Sequence, residues 1–175
     1  PREWIARIKN SIRKLAPFFN THRMVAEYTE RYYMPALEGF QRLTQPDLSR
    51  GVAFSQWKQK VYDEWNNVQV LKVDTSADEL KVGSEQEISA TVQLGNLTPD
   101  DVIVQVYYGD LDTHGNILAG NAVNMQPAQA HGGGAYTFKA NLAYHTTGNQ
   151  GLSVRVLPNH EDLPTPFLRG LIRWA

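Results

Sequence analysis

The stretch WNNVQVLKV, residues 65–73, divides the chain into two parts with different apolar patterns. Before Asn66 the apolar residues recur at steps of three and four, which is typical of helices, and after Asn67 they alternate, which is typical of β-strands. We therefore predict an α+β chain organised by segment. A helical segment over residues 1–66 is followed by an antiparallel immunoglobulin-like β-sandwich over residues 67–175.

The helical segment shows three amphipathic stretches. The first ends before Pro17, which cannot donate a backbone hydrogen bond, and the second starts at Asn20 and Thr21, which are good helix caps. The predicted helices are residues 4–16, a second helix from Thr21 that breaks or kinks at Pro35 and continues over 36–43, and a third over about 51–65.

Aromatic residues are dense in this segment, and two interpretations of them stay open. Helix-spaced aromatics most often pack in a core, here between the helices or against a domain outside this sequence. The alternative is a platform on which sugar rings stack. The aromatics are Trp4, Phe18, Phe19, Tyr28, Tyr32, Tyr33, Phe40, Phe54, Trp57, Tyr62 and Trp65.

The second part alternates apolar and polar residues in short runs that are separated by turn residues. About seven such strands in roughly a hundred residues are typical of an immunoglobulin-like sandwich. The predicted strands are 68–73, 88–94, 102–108, 117–125, 136–142, 152–156 and 171–174, with turns at Val82-Gly83-Ser84 and at Gly132-Gly133-Gly134 among others.

Composition excludes several classes of protein. Seventeen Lys and Arg balance 18 Asp and Glu among 175 residues, so no basic field favours nucleic acid or an anionic membrane surface. No apolar run is long enough to span a bilayer. Cysteine is absent, which excludes disulfides and thiolate metal sites and fits a cytoplasmic protein. Because the first residues, PREW, begin with Pro1 and show no signal-peptide pattern, we expect a piece cut from a longer cytoplasmic protein.

Candidate metal ligands are scattered along the chain. Asp110, Asp112 and Asn116 resemble an acidic calcium loop, but a third ligand oxygen and a closing Glu are missing. A hairpin turn held by Asx side chains explains the same residues, and both interpretations stay open. The histidines, none of which forms a zinc-type pair, are His22, His114, His131, His145 and His160.

No pattern of catalytic residues is recognisable. The carboxylate pairs Asp100–Asp101 and Glu161–Asp162 have nothing that places them across a cleft, as glycoside hydrolysis requires. The triple glycine at residues 132–134 lacks the Gly-Lys-Ser/Thr of a phosphate loop and predicts a flexible hairpin. We therefore assign no catalytic, cofactor-binding or metal-binding residue.

Several motifs resemble the C-terminal region of α-glucan (glycogen or maltodextrin) phosphorylases of the long bacterial and archaeal branch. The first is Trp4-Ile5-x-x-Ile8-x-x-Ser11-Ile12, and the second is RMVAEY at residues 23–28. Tyr32-Tyr33-x-Pro35-Ala36 follows. Three further stretches are similar to the β-rich extension of that branch, namely residues 94–109, residues 154–160 and the ending Ile172-Arg173-Trp174-Ala175.

The resemblance implies a parent enzyme that transfers a glucosyl unit from an α-1,4-glucan to inorganic phosphate, with pyridoxal phosphate on a lysine. The family's Gly-Thr-Ser-Gly-Met-Lys motif is absent here. The resemblance therefore implies a non-catalytic fragment. Residues 1–66 would be the terminal helices of the catalytic domain, docked on the upstream phosphorylase domain, and the sandwich would serve packing, assembly or glucan association.

Two alternatives remain, namely a stand-alone carbohydrate-binding sandwich and a protein-interaction module that forms homo-oligomers through the aromatic helices. Sugar binding would need exposed, coplanar aromatics on a sheet face or loop. The candidates for glucan contact are Tyr107, Tyr108, Tyr136 and Trp174, with Tyr144 also available.

Overall fold

A computed structural model describes residues 1–76, 83–144 and 147–175. They form two compact units, Pro1–Ala53 and Phe54–Ala175. Of the features predicted above, Val82 and His145 lie outside the described residues.

The first unit is helical, as predicted. Its elements are α1 (Arg2–Leu15), α2 (Thr21–Tyr28), a π-helical segment (Thr29–Tyr33), α3 (Met34–Thr44) and the start of α4 (Ser49–Glu64). Asn20 caps α2, because its side-chain oxygen accepts a hydrogen bond from the Arg23 backbone N–H at 2.8 Å. The predicted cap is confirmed.

The predicted break at Pro35 takes the form of a local change in helix type. Met34 N–H donates to Thr29 O, five residues back, in the π-helical segment. Proline has no N–H and its ring crowds the carbonyl of the preceding turn. The helical run is continuous from Thr21 to Thr44, so the chain accommodates Pro35 by widening to a π-helical turn just before it and then resumes the α-helix.

The second unit contains the end of α4 and the strands. The strands are β1 (Gln69–Thr75), β2 (Glu85–Gln93), β3 (Val102–Asp110), β4 (Asn121–Asn124), β5 (Gln126–Gly132), β6 (Ala135–Ala143), β7 (Gln150–Pro158) and β8 (Arg173–Trp174). Short 3₁₀ turns lie at Trp65–Asn67 and Pro99–Asp101.

Within the described residues the strands form two four-stranded antiparallel sheets. Sheet 1 has the order β1-β2-β6-β5, and sheet 2 has the order β4-β3-β7-β8. Their buried faces share one apolar cluster, to which β2 contributes Ile88 and Val92, and β3 contributes Val104 and Val106. The predicted α+β class with antiparallel β-structure is confirmed.

Helix α4 belongs to both units. Val61 and Trp65 are 1% and 2% exposed and lie in the same cluster as the sheet residues, with Trp57 packed against it. Helical structure ends at Asn67, where the apolar pattern of the sequence changes from helical spacing to alternation, whereas the compact units divide after Ala53. The assignment of all of residues 1–66 to the catalytic domain of a parent enzyme stays a prediction.

Strand β5 was not predicted, because all of its seven residues are exposed and carry no alternating apolar pattern. The strand expected over residues 117–125 is shorter, at Asn121–Asn124. The hairpin at Gly132–Gly134 is confirmed, with φ angles of 79°, 61° and 82° that favour glycine. At Gly134 a Cβ atom would lie 2.3 Å from the Gly95 carbonyl oxygen, so this turn also needs glycine for close approach.

Candidate functional site

Two of the four predicted glucan-contact aromatics, Tyr107 and Trp174, lie together on the outer face of sheet 2. Because Val104 and Val106 point into the core, Tyr107 on the same strand points outward. The rings of Tyr107 and Trp174 are edge to face, with centroids 5.5 Å apart and planes at 74°. They are therefore not coplanar, unlike the aromatic platform that sugar binding was expected to need. The structure therefore brings together two aromatic residues that are 67 positions apart in the chain.

Arg155 lies at the centre of this aromatic group. Its Cζ is 5.0 Å from the Tyr107 ring centroid, 5.3 Å from that of Phe167 and 5.5 Å from that of Trp174. Its Nε donates to Gln105 Oε1 at 2.8 Å. A guanidinium beside aromatic faces is attracted by their quadrupoles, so Arg155 holds the three rings in one arrangement.

An open groove of about 540 Å³ lies beside this group. Its lining residues are Tyr107, Leu111, Gly115, Asn116, Ile117, Gly151, Leu152, Ser153 and Trp174. One wall is the loop after β3, which closes with a bridge between Leu111 and Ile117. Gly151 permits this approach, because a Cβ atom there would lie 2.3 Å from Leu111 Cδ2.

Asp112 fixes the shape of the loop. Its Oδ1 accepts hydrogen bonds from the backbone N–H groups of His114 and Asn116, both at 2.8 Å. Its Oδ2 accepts a hydrogen bond from the side-chain Nδ2 of Asn116 at 3.1 Å. The bonds from Asn116 and then from His114 hold the pKa of Asp112 below its usual value. This confirms the Asx-stabilised turn. No cluster of three or more metal-binding side chains occurs within the described residues.

Tyr108 and Tyr136 lie elsewhere, half-buried against the core between the sheets. Tyr108 lines a smaller cavity of about 190 Å³ together with Tyr144. The Tyr144 hydroxyl donates to Gln86 Oε1 at 2.8 Å, and burial, with a contribution from Tyr108, raises the pKa of Tyr144. These three tyrosines are not part of the groove.

Sequence reasoning missed Arg155 and Phe167. Arg155 stands between the apolar residues Val154 and Val156, so alternation alone places it on the outer face of β7. Alternation does not show which residues are its neighbours on that face. They depend on strand pairing, since β7 pairs with β3 on one side and with β8 on the other. Phe167 lies outside the strands and has no such signal.

Of the carboxylates considered for acid–base chemistry, the buried Asp101 and Asp162 have structural partners, and the Oδ2 of Asp162 lies 3.8 Å from His160 Nδ1. Asp101 is 8% exposed and accepts hydrogen bonds at 2.9 Å from Trp57 Nε1, Lys60 Nζ and Thr98. Burial alone would raise the pKa of Asp101, but these hydrogen bonds outweigh it, so the pKa lies below its ordinary value. Asp162 is buried, and its backbone N–H donates to His160 Nδ1 at 3.1 Å.

The described lysines do not fit a Schiff-base cofactor. Lys60, Lys72 and Lys139 are ion-paired with carboxylates, and all lysines in the described part of the chain are exposed. Covalent pyridoxal phosphate chemistry needs a lysine held in an enclosed site. Lys81 lies outside the described residues. The histidines are dispersed, and His131 lies near the end of β5, where it contacts Thr137 Oγ1 at 2.7 Å.

The helical unit presents a second candidate surface. In residues 1–53, all of which the structure describes, α1, α2, the π-helical segment and α3 contain no buried residue. We call the exposed apolar side chains of these elements, together with Phe18 and Phe19 between α1 and α2, the helical apolar surface. It comprises Trp4, Ile5, Ile8, Ile12, Leu15, Phe18, Phe19, Met24, Val25, Tyr28, Tyr32, Tyr33, Met34, Leu37 and Phe40. Among the described helices none has the length and hydrophobicity that crossing a membrane requires.

Comparison with known proteins gives a consistent result. The family model of the glycogen phosphorylase C-terminal domain matches residues 65–175. The maltodextrin phosphorylase of Thermococcus litoralis is 32% identical over 175 residues, and the glycogen phosphorylase of Mycobacterium bovis is 28% identical over 177 residues. These matches cover 98% and 100% of the chain but 20% of each relative, so the chain spans about a fifth of their length.

Proposed function

Because the chain belongs to the glycogen phosphorylase C-terminal domain family, we propose that it is a non-catalytic C-terminal part of an α-glucan phosphorylase. The parent would transfer glucosyl units from an α-1,4-glucan to inorganic phosphate and would hold pyridoxal phosphate in its other parts. Two features support this proposal. The chain matches a fifth of the length of its relatives, and no described lysine fits the cofactor.

The observation that carries the proposal is the helical apolar surface. Contiguous exposed apolar patches larger than a few hundred Å² usually mark interfaces, and α1 alone exposes Trp4 to 66% and Ile12 to 60%. We propose that this surface packs against the upstream phosphorylase domain. The polar face of α1 carries Arg7, Lys9 and Arg13 and would face solvent.

For the second unit, we propose an immunoglobulin-like sandwich. When the strands are lettered in chain order with β4 as C′, sheet 1 becomes A-B-E-D and sheet 2 becomes C′-C-F-G. This is the arrangement of immunoglobulin-like domains. The sandwich would serve packing, assembly or glucan association, and we propose a cytoplasmic location for the whole enzyme.

Phosphorolysis by the full-length parent tests this assignment. The full-length protein should release glucose 1-phosphate from maltodextrin and lose this activity when pyridoxal phosphate is removed, whereas the 175-residue chain alone should release none. Activity of the full-length protein after complete cofactor removal would overturn the assignment.

The helical interface is tested in the full-length protein by Ile8→Asp. We expect this change to place an unpaired carboxylate in an apolar contact and to lower the melting temperature of the parent by several degrees. Lys9→Asp is the matched control on the adjacent, polar side of α1, and it should change the melting temperature of the parent little. Equally small effects of both substitutions would show that this part of α1 is solvated in the parent and would contradict the docking proposal.

A stand-alone sugar-binding or self-association module is the second candidate, favoured by the groove beside Tyr107 and Trp174 and by the exposed helices. Sedimentation distinguishes self-association from docking. If the helical apolar surface docks on the upstream domain of the same chain, this surface is uncovered in the 175-residue chain. That chain should then self-associate, and Ile8→Asp should reduce the self-association. In the full-length parent, Ile8→Asp should leave the oligomeric state unchanged.

A further inference from the structure

We propose that the groove on the outer face of sheet 2 binds an α-1,4-linked glucan chain, with Tyr107 and Trp174 as the aromatic contacts. The glucan as ligand rests on the proposed function, whereas the site itself rests on the geometry of the groove. Its volume of about 540 Å³ lies within the roughly 300–1,000 Å³ typical of small-molecule sites.

The lining of the groove matches the chemistry of a glucosyl unit. A pyranose ring presents C–H groups on its faces and hydroxyls around its edge, so it needs an apolar aromatic surface with hydrogen-bonding groups beside it. Trp174 is 48% exposed and supplies such a surface. Tyr107 is half-buried and its ring plane lies at 74° to that of Trp174, so it forms a wall of the groove beside the Trp174 ring. Ser153 and Asn116 line the same groove and supply a hydroxyl and an amide.

The charges around the groove favour a neutral ligand. None of the described residues that line it is charged. Arg155 does not line the groove, and its guanidinium lies against Tyr107, Phe167 and Trp174 and donates to Gln105. A phosphate or nucleotide would need free cationic donors in the lining, whereas a neutral polyhydroxyl chain does not.

The groove is also held in shape before any ligand binds. Gln105 links Arg155 to Asn124 Oδ1, since its Nε2 donates to that oxygen at 2.9 Å. On the opposite wall Asp112 ties down the loop that carries Asn116. A site whose rings and polar groups are already fixed loses little conformational entropy on binding.

The site is open at the surface, as a polymer requires. A glucan is much longer than the groove, so only a few units can lie in it and both ends must leave into solvent. The lining includes the exposed residues Gly115, Asn116 and Trp174. The groove therefore fits a retention site for the polymer rather than an enclosed site for a reacting chain end.

Titration of the 175-residue chain with maltoheptaose, followed by calorimetry, tests the proposal. We expect saturable binding that Trp174→Ala weakens about tenfold, as for truncation of an aromatic anchor. Tyr62→Ala is the matched control, because Tyr62 is 45% exposed on α4 and does not line the groove, and it should leave the affinity unchanged. Cellohexaose, which is β-1,4-linked, should bind more weakly.

A second variant separates loss of the site from loss of folding. Ser153→Ala removes a hydroxyl from the lining of the groove without changing the loop that Asp112 holds, and it should weaken maltoheptaose binding at unchanged melting temperature. Absence of maltoheptaose binding by the wild-type chain, or equal affinity of wild type and Trp174→Ala, overturns this proposal. Neither result affects the proposed function, which fails instead if the full-length parent shows no phosphorolysis.

Discussion

Asp101→Asn is the sharpest test of how the end of α4 is held in the second unit. Asp101 offers two oxygens to four donated hydrogen bonds: Oδ1 accepts from Trp57 Nε1, and Oδ2 accepts from Lys60 Nζ and from the Thr98 backbone and hydroxyl. Asparagine has nearly the same shape but only one oxygen. In either orientation of the amide, its NH₂ group faces a donor of Trp57 or of Thr98.

The expected loss follows from the burial of this cluster. A buried donor left without an acceptor costs about 1–3 kcal/mol, and Asp101 is 8% exposed. Lys60 is 43% exposed in its side chain, so the lost ion pair adds less than about 1 kcal/mol after screening by solvent. We expect the free energy of unfolding of the second unit to fall by about 2–3 kcal/mol, which lowers its melting temperature by about 10 °C.

Urea unfolding followed by tryptophan fluorescence measures this change, because Trp57 and Trp65 both lie in the affected unit. Asp100→Asn is the matched control, since Asp100 is exposed and its substitution should cost less than about 0.5 kcal/mol. Equal losses for both variants would refute the argument from buried hydrogen bonds.

The pH dependence gives an independent check with a fixed sign. The pKa of Asp101 is lowered from 3.8 in the folded chain, so its stabilising contribution is complete above that value and is lost as the pH falls through the lowered pKa. The difference in stability between wild type and Asp101→Asn should therefore be largest near neutral pH and shrink below pH 3.8. A difference that is constant down to strong acid would show that the ionised carboxylate contributes nothing.

Three further substitutions have expected outcomes that thermal melts can check. Gly151→Ala should destabilise the second unit by about 2 kcal/mol, because its Cβ would overlap Leu111. Gly39→Ala should stabilise α3 by about 0.5–1 kcal/mol, since the site has open space and no positive φ. Tyr144→Phe should cost about 1 kcal/mol, because it removes the hydroxyl that donates to the buried Gln86.

Each of these expectations has a clear contrary result. An unchanged melt of Gly151→Ala would mean that the loop can move away from sheet 2 at little cost. A destabilised Gly39→Ala would indicate a neighbour at that position. Tyr62→Phe is the exposed control for Tyr144→Phe, and equal losses for the two would rule out the buried hydrogen bond. Because burial raises the pKa of Tyr144, the stability that its neutral form supports should fall as the pH rises above 10.0.

Local chemistry in the sequence was enough to predict much of the fold. The cap at Asn20 and the irregularity before Pro35 depend on one side chain or one missing N–H, and the structure has both. Strands β2 and β3 were predicted because their buried faces alternate with exposed ones along the chain. Strand β5 gave no such signal, since a strand with no buried side chain has no apolar period, and its place depends on its pairing with β6.

The sequence by itself determined the family, the helical and β-rich parts, and which side of each core strand is apolar, because these depend on residues a few positions apart. Only the tertiary structure decided that Tyr107 and Trp174 meet around Arg155. The alternation of a strand specifies the face on which a side chain lies. Which residues on that face become neighbours depends on the order and register of β3, β7 and β8, and these are fixed by hydrogen bonds between segments far apart in the chain.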